Sequence, residues 1–399
     1  MKMWKIEMNR CLAACVMGSL ASFLMAQDSV AELLERVEEN NMTLLALRAE
    51  SDAQKLGNHA EMRLSDPEIG FNYLWGNSTG IGARKDVSVA QEFDVATLTG
   101  LKGRVAKQMD ELVDWRYRTE RMNVLLEAKL AYMDMVCCNA LHKLLSERVE
   151  QAQSLARLQQ KRLDAGEGNM LELGNARLAL AKAEAELMAL EAEQGVVQGK
   201  LEQLNGGHEV AISATEYAEA TLPADFAEWF ALAESRNPML AIQRQSVEVN
   251  KAELALRRTQ ALPSLSAGYM GEFTRAERFQ GLMLGMTVPL WTNKARVRQA
   301  KTALNAARMR QADERLQQFT QLENLYKQAR LLKKSVDRCR ATVASADNIA
   351  LLQKALDEGG LSVMDYLVQV GVCYDALAQV IQLERDYQKA CARFLASEL

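Results

Sequence analysis

Two rhythms of apolar residues divide this chain. Four short stretches alternate apolar and polar residues with a period of two, as in a strand with one apolar face, while long stretches keep the three- and four-residue steps of a packed helix. In 68–75, Ile69, Phe71, Tyr73 and Trp75 face one way while Glu68, Gly70 and Asn72 face the other. In 87–95, Val87, Val89, Phe93 and Val95 oppose Ser88, Ala90, Glu92 and Asp94. In 264–273, Leu265, Ala267, Tyr269 and Phe273 oppose Ser264, Ser266, Gly268 and Glu272. In 282–290, Leu282, Leu284, Met286, Val288 and Leu290 oppose Gly285, Thr287 and Pro289. The pattern places strands at 66–76, 87–97, 263–273 and 281–291.

The helical rhythm runs unusually far. Residues 101–163 contain no proline and would span roughly 95 Å at the helical rise, and 294–357 match them in length. Segments 29–64, 171–204, 225–261 and 362–397 are about half as long. In 171–204, Leu173, Ala176, Leu180, Ala183, Leu187, Leu190, Gln194, Val197, Leu201 and Leu204 follow a heptad, the sign of a coiled coil. Leu367, Val370, Tyr374, Leu377 and Ile381 do the same near the C-terminus. Antiparallel helical hairpins are the expected product.

The order of elements is stated twice, about 196 residues apart. NMTLLALRAESDAQK (41–55) is echoed by NPMLAIQRQSVEVNK (237–251), DPEIGFNYLWG (66–76) by LPSLSAGYMGE (262–272), and DAGEGNMLEL (164–173) by DEGGLSVMDY (357–366). A period this long is a duplicated half-protein and not a solenoid unit. Each half reads short helix, strand, strand, long helix, turn, short helix. The expected organisation is a leader at 1–26, a first repeat at 27–206, a linker at 207–224 and a second repeat at 225–399. Long helices flanked by half-length partners would stack into a tall helical wall beneath a patch of strands.

Composition agrees: 49% of the 399 residues are hydrophobic and only five are proline, as in long packed helices. Lys2, Lys5 and Arg10 precede an apolar run from Cys11 to Ala26, the form of a secretory signal peptide. A lipoprotein-like box, Leu12-Ala13-Ala14-Cys15, stands before the apolar core instead of after it, which argues against lipidation at Cys15. No later stretch approaches a membrane-spanning helix in this reading, so any membrane element must be made of strands. Loss of the leader takes the net charge from −4 to −6, against nucleic acid as a partner. Cys137, Cys138, Cys339, Cys373 and Cys391 lie in helical pattern without CxxC spacing, which favours buried reduced thiols. His59, His142 and His208 are scattered, and no phosphate-binding glycine loop is present. No catalytic residue, cofactor or metal site is expected, and the chain is not read as an enzyme.

Each strand is about as long as a tilted strand crossing a bilayer, with aromatics gathered on the apolar face. Two water-soluble hairpins packed on helices would give the same pattern, which leaves a periplasmic coiled-coil scaffold as the alternative. If the strands do span a membrane, they must close, because an open sheet edge cannot sit in hydrocarbon. The smallest single-chain barrels have eight strands. Four strands per chain therefore require copies to pool them, eight from a dimer or twelve from a trimer.

Taken in order, the residues resemble the outer-membrane factor (TolC-like) family. The resemblance covers about 29–399 and rests on the duplication, Asn237-Pro238-Met239-Leu240, Leu262-Pro263-Ser264-Leu265, Val288-Pro289-Leu290-Trp291, and the Gly-containing turns followed by Asn175-Ala176-Arg177. Copy one departs from the pattern with Glu92-Phe93 and Met42 where copy two has Pro289-Leu290 and Pro238, and Leu163 and Leu356 stand where an aromatic is common. The resemblance implies a homotrimer: a twelve-stranded barrel in the outer membrane of a Gram-negative bacterium, continuous with a twelve-helix periplasmic tunnel. It implies a passive conduit docked on a periplasmic adaptor and an inner-membrane transporter, carrying small molecules or ions, or proteins in type I secretion.

The resemblance also assigns roles. Turns 164–171 and 357–363 would form periplasmic tips that meet the adaptor, with Gly166, Gly168, Gly359 and Gly360 reversing the chain at positive φ beside Leu361 and Ser362. Asp365 and Glu172 would face inward and ring the entrance, unless they are ordinary first-turn acids stabilised by the helix dipole. If the apolar strand faces meet lipid, Glu68, Glu92, Asp94 and Glu272 line the lumen and favour cations, unless neighbours such as Arg84, Lys85 or Arg275 neutralise them.

Overall fold

The computed structural model describes residues 30–76, 82–289, 293–345 and 349–399. The leader, part of the first hairpin loop, and Leu290 and Trp291 lie outside them. The elements are α1 (30–40), α2 (Met42–Glu61), β1 (Glu68–Trp75), β2 (Ala83–Phe93), α3 (Val95–Leu98), α4 (Leu101–Asp164), α5 (Met170–Leu204), α6 (Phe226–Arg236), α7 (Pro238–Thr259), β3 (Ser264–Phe273), β4 (Arg278–Thr287), α8 (Asn293–Ser345), α9 (Ile349–Asp357) and α10 (Val363–Phe394), with a last 3-10 turn at Ala396–Glu398. They form two compact units. One holds residues up to Leu45, Glu120–Ala231 and Thr320–Leu399; the other holds Ala46–Thr119 and Leu232–Phe319.

The strand unit carries one antiparallel sheet in the order β1-β2-β3-β4. Ile69 pairs with Val89, Val89 with Tyr269 and Tyr269 with Leu282, so one row of apolar side chains crosses all four strands. The opposite row runs Glu68, Ala90, Gly268 and Met283. Three expected boundaries move. β2 begins at Ala83, so Arg84 and Lys85 belong to the strand and not to the loop. It ends at Phe93 because Asp94 turns its side chain onto the Thr97 backbone N–H at 2.6 Å and caps α3, so Asp94 and Val95 leave the sheet. β4 ends at Thr287, short of the expected 291. Beneath the strands, Ala96, Val105, Ala252 and Leu256 form one cluster, and Val247, Leu254, Leu304 and Ala307 another.

Both repeats open with a break that the apolar rhythm concealed. The expected helix 29–64 is two helices divided at Asn41, whose Oδ1 accepts from the Leu44 N–H and whose Nδ2 donates to the Leu204 carbonyl at 2.8 Å. Its echo Asn237 caps α7 by accepting from the Met239 N–H at 2.9 Å, with Pro238 at the first helical position. Asparagine suits such a start because its side chain satisfies an N–H that the helix leaves bare. The segment expected as one helix at 294–357 is seen as α8 and α9.

The other unit packs α1, α4, α5 and α10 around Val37, Leu125, Val136, Leu201 and Ala392. Phe226, Trp229, Phe230, Tyr326 and Phe394 gather in a second knot, with Trp229 and Phe394 centroids 4.1 Å apart. The linker is bound as a strap. Asn139 donates to the Ile212 and Ala214 carbonyls, Tyr217 to the Met133 carbonyl, Gln388 to Ala218, Tyr387 to Ala220, and Tyr326 to Pro223 and Ala224. A segment without its own ladder is thus satisfied by side chains from three helices. The strap begins at Gly206 and Gly207, with φ of 68° and 88°.

Two details bear on the sequence reading. α10 is long and apolar enough, by length and composition alone, to cross a membrane, although its Tyr366, Tyr374, Tyr387 and Phe394 are buried in the helical packing. Of the five cysteines after the leader, Cys137, Cys138 and Cys391 are buried, and burial pushes the Cys137 and Cys138 thiols up to about 11, which keeps them inert at neutral pH.

Two measurements check this packing. A Cβ on Gly206 would stand 2.4 Å from the Asn40 carbonyl oxygen, whereas one on Gly207 meets nothing. Both substitutions to Ala cost about 1–2 kcal/mol for positive φ, but Gly206→Ala adds the clash and should lower Tm clearly further than Gly207→Ala. Arg121 forks onto Glu38 and also donates to the Leu399 carbonyl at 2.6 Å. The Arg121 hydrogen bonds hold the Glu38 carboxyl below its ordinary value of 4.5. The pair therefore stabilises the fold above the ordinary glutamate pKa, and that contribution is lost as pH falls through the lowered one. Arg121→Gln should remove this acid-side loss, by less than about 1 kcal/mol because the pair is partly exposed, read as a flatter pH–Tm curve.

Candidate functional site

Two surfaces carry the chemistry: the faces of the sheet and the two helix turns. The sheet presents its apolar face outward. Trp75 is 81% exposed, Leu282 88% and Leu284 83%, and Ile69, Phe71, Leu265 and Met286 are exposed with them. Burying side chains of this size is worth about 1.5–3 kcal/mol each, so such a face calls for an apolar surrounding. The hairpins do not fold it onto helices, which removes the water-soluble hairpin alternative. The edges β1 and β4 also keep a row of backbone groups without a ladder partner among the described residues.

The opposite face sorts the expected carboxylates into different situations. Glu272 accepts from Arg84 at 2.6 Å, and Arg84 also forks onto Asp86 at 2.7 Å, so one cation serves two carboxylates at this end of the sheet. Asp86 shares the face, and the sequence reading missed it because it lay in the expected loop. Glu92 accepts from the Ser264 hydroxyl at 2.6 Å, and among the described residues neither Glu92 nor Glu68 has a cation partner. Asp94 is spent on its cap and on Lys102 at 2.8 Å, and takes no place on that face of the sheet.

The turns repeat one device. Glu167 donates its backbone N–H to the Arg162 carbonyl at 2.9 Å and Gly360 donates to the Ala355 carbonyl at 2.9 Å, closing the ends of α4 and α9 alike. The residue before each donor, Gly166 or Gly359, takes φ of 77° or 71°, as a helix C-terminus of this kind requires. Gly168 and Gly360 do not adopt positive φ, contrary to expectation. Gly168 is needed for space instead, since a Cβ there would approach the Leu163 backbone nitrogen to 2.5 Å. Asn169 then caps α5 and Ser362 caps α10.

Glu172 and Asp365 both fall in first turns. Asp365 is exposed and engaged locally: the Ser362 hydroxyl donates to its Oδ2 at 2.7 Å and accepts its N–H at 3.1 Å. This reciprocal cap gives Asp365 a structural task of its own. Leu361 packs at the edge of the Leu155, Ala156, Val363 and Tyr366 cluster. Higher on the same unit, Arg148 donates to Glu186 at 2.8 Å and to Asp375 at 3.2 Å, and lies over the Tyr374 ring at 5.7 Å. Burial pushes the Tyr374 hydroxyl up to about 12. This clasp joins α4, α5 and α10 across 227 positions of sequence, and no local pattern announces it. Gln159, only 2% exposed, has neither amide atom hydrogen-bonded.

Residues 229–397 match the family described as outer membrane efflux protein. The match lies within the second repeat and spans less than half of the chain. The fold agrees: the solved structure of CusC, described for its transmembrane channel formation, superposes with a TM-score of 0.78 at 14% identity, covering 93% of this chain and 92% of that one. The Campylobacter jejuni CmeC outer membrane channel gives a TM-score of 0.74 at 15% identity over 92% of this chain and 85% of that one. In sequence the chain is 24% identical to the alkaline protease secretion protein AprF of Pseudomonas aeruginosa over 321 residues, 75% of this chain and 66% of AprF.

The Arg148 clasp yields a prediction. Arg148→Ala should release α10 from α4 and α5, raising hydrogen–deuterium exchange in 363–380 by at least about tenfold, the equivalent of about 1.4 kcal/mol. Arg177→Ala, which breaks only a hydrogen bond to Gln160, should leave that segment unchanged.

Proposed function

We propose that three copies of the chain pool their strands into a twelve-stranded barrel and their helices into a tunnel, forming the passive outer-membrane conduit of a tripartite export system. The observation that carries this is the sheet: apolar outward, polar inward and open at both edges. A sheet of four alternating strands lets β4 of one copy meet β1 of the next in antiparallel sense, so a ring can close without a fault in direction. Pooling alone allows two or three copies; the family's trimeric channels favour three.

The turns around Gly166, Gly168, Gly359, Gly360, Leu361 and Ser362 are the adaptor-contacting tips, and an inner-membrane transporter supplies the energy. Asp365, with its Oδ1 outside the Ser362 cap, and Glu172 together line the periplasmic entrance. Small molecules or ions are the favoured cargo. The similarity to AprF supports protein secretion as a second reading.

Conductance across planar bilayers tests the conduit. Purified protein should form ohmic pores that favour cations, because Glu68 and Glu92 outnumber the cations on the inner face. Arg84→Gln should increase cation preference by freeing Asp86 and Glu272, and Glu68→Gln with Glu92→Gln should decrease it, read as reversal potentials in a salt gradient. Absence of pores would overturn the conduit, and anion preference would overturn the assignment of the inner face.

A further inference from the structure

We propose that the roots of the second repeat's helices, where they meet the sheet, are a docking surface for anionic phospholipid headgroups; this rests on the outer-membrane reading. The chain carries no acid between Glu253 and Glu272, and none between Glu277 and Asp313. Over those stretches Arg257 and Arg258 close α7, and Lys294, Arg296, Arg298 and Lys301 open α8. All six are exposed, and among the described residues none has an ion-pair partner. Arg257 makes one neutral contact, to Gln260 at 2.9 Å.

Position adds to composition. Lys294, Arg298 and Lys301 follow at four- and three-residue steps, so they share one face of α8, and Asn305 and Arg308 continue it. The charges also oppose the local field. The first turns of a helix carry the positive end of its dipole and favour acids, yet the first turn of α8 has none. Cations held there gain most from an external anion.

What lies beside them says which anion. The exposed apolar face of the sheet continues through Leu265 and Met286 to exposed Leu262 and Val288. Arg258 stands four residues before Leu262, and Lys294 six residues after Val288. Hydrocarbon-facing residues thus hand over to free cations within about two helical turns, the order of a bilayer's own core and phosphate layer. The first repeat differs: Lys102 at the root of α4 is paired with Asp94, and acids such as Asp66, Glu92 and Asp110 stand near its exposed Arg63, Arg104 and Lys107 in sequence.

The test uses the intact protein purified in non-ionic detergent and titrated with phosphatidylglycerol or phosphatidylcholine, with Tm as readout and inorganic phosphate as the free-anion control. Phosphatidylglycerol should raise Tm saturably and more than phosphatidylcholine, inorganic phosphate should not reproduce the rise, and 0.5 M salt (about a 4 Å screening length) should reduce it. Each cation removed should weaken apparent phosphatidylglycerol affinity by about fivefold, so the combined Lys294→Gln, Arg298→Gln and Lys301→Gln protein should lose the preference. If that protein does not assemble, the single variants supply the graded loss, and Lys294→Arg with Lys301→Arg should retain the full preference. Equal response to both lipids, an unchanged preference in the Gln variants, or a rise matched by inorganic phosphate overturns the proposal. So does a shift in pore selectivity without any change in lipid response, which would turn the stripe toward the lumen. Wild-type protein that fractionates as soluble overturns the outer-membrane reading; wild-type protein extracted from membranes yet indifferent to headgroup overturns this inference alone.

Discussion

A sheet edge in hydrocarbon must find a partner, and this chain has two such edges. Each backbone N–H or C=O left without a hydrogen bond in lipid costs several kcal/mol, and among the described residues neither β1 nor β4 has a second neighbour. Much else follows from that constraint. The apolar row from Ile69 to Leu282 makes sense only against lipid, and the polar row behind it only against water. The duplication supplies two hairpins, and the pairing of β2 with β3 joins them into one sheet whose free edges are complementary in direction.

The helical unit meets a different demand with different means. A linker of about twenty residues without its own ladder would leave many backbone groups unpaired, and Asn139, Tyr326, Tyr387 and Gln388 answer it from the helices it crosses. Neutral donors suit this task, since a buried amide or phenol incurs far less desolvation than a buried charge. Charged clasps are placed where they remain partly wet, as with Arg121 on Glu38 and Arg148 on Glu186 and Asp375.

Much of the fold was legible in the sequence because lipid, like a protein core, imposes a strict period on the face that meets it. The strand positions were read to within a few residues from Ile69, Phe71, Tyr73 and Trp75 and their echoes. The misreadings share a cause. Arg84, Lys85 and Asp86 looked like a loop because charge usually marks solvent, yet a strand whose other face meets water can carry Arg84 and Asp86 there as a pair. Val95 continued the alternation, but Asp94 followed three residues later by Thr97 is also a helix start, and the cap prevailed. Gly168 and Gly360 were credited with a conformation that only Gly166 and Gly359 adopt, since composition does not say which glycine of a turn bends. The Arg148 clasp and the strap donors were out of reach, because they depend on helices brought together from distant parts of the chain.

The central claim is that strands from separate copies close one sheet. The mass of the particle extracted from outer membranes, measured in detergent after subtraction of bound detergent, tests it most directly. A particle of three chains that separates into monomers only when the strands melt is the predicted result. A monomer that stays folded and dispersed in water without detergent would contradict it, because a chain with this apolar face and these two open edges would then have to satisfy them alone.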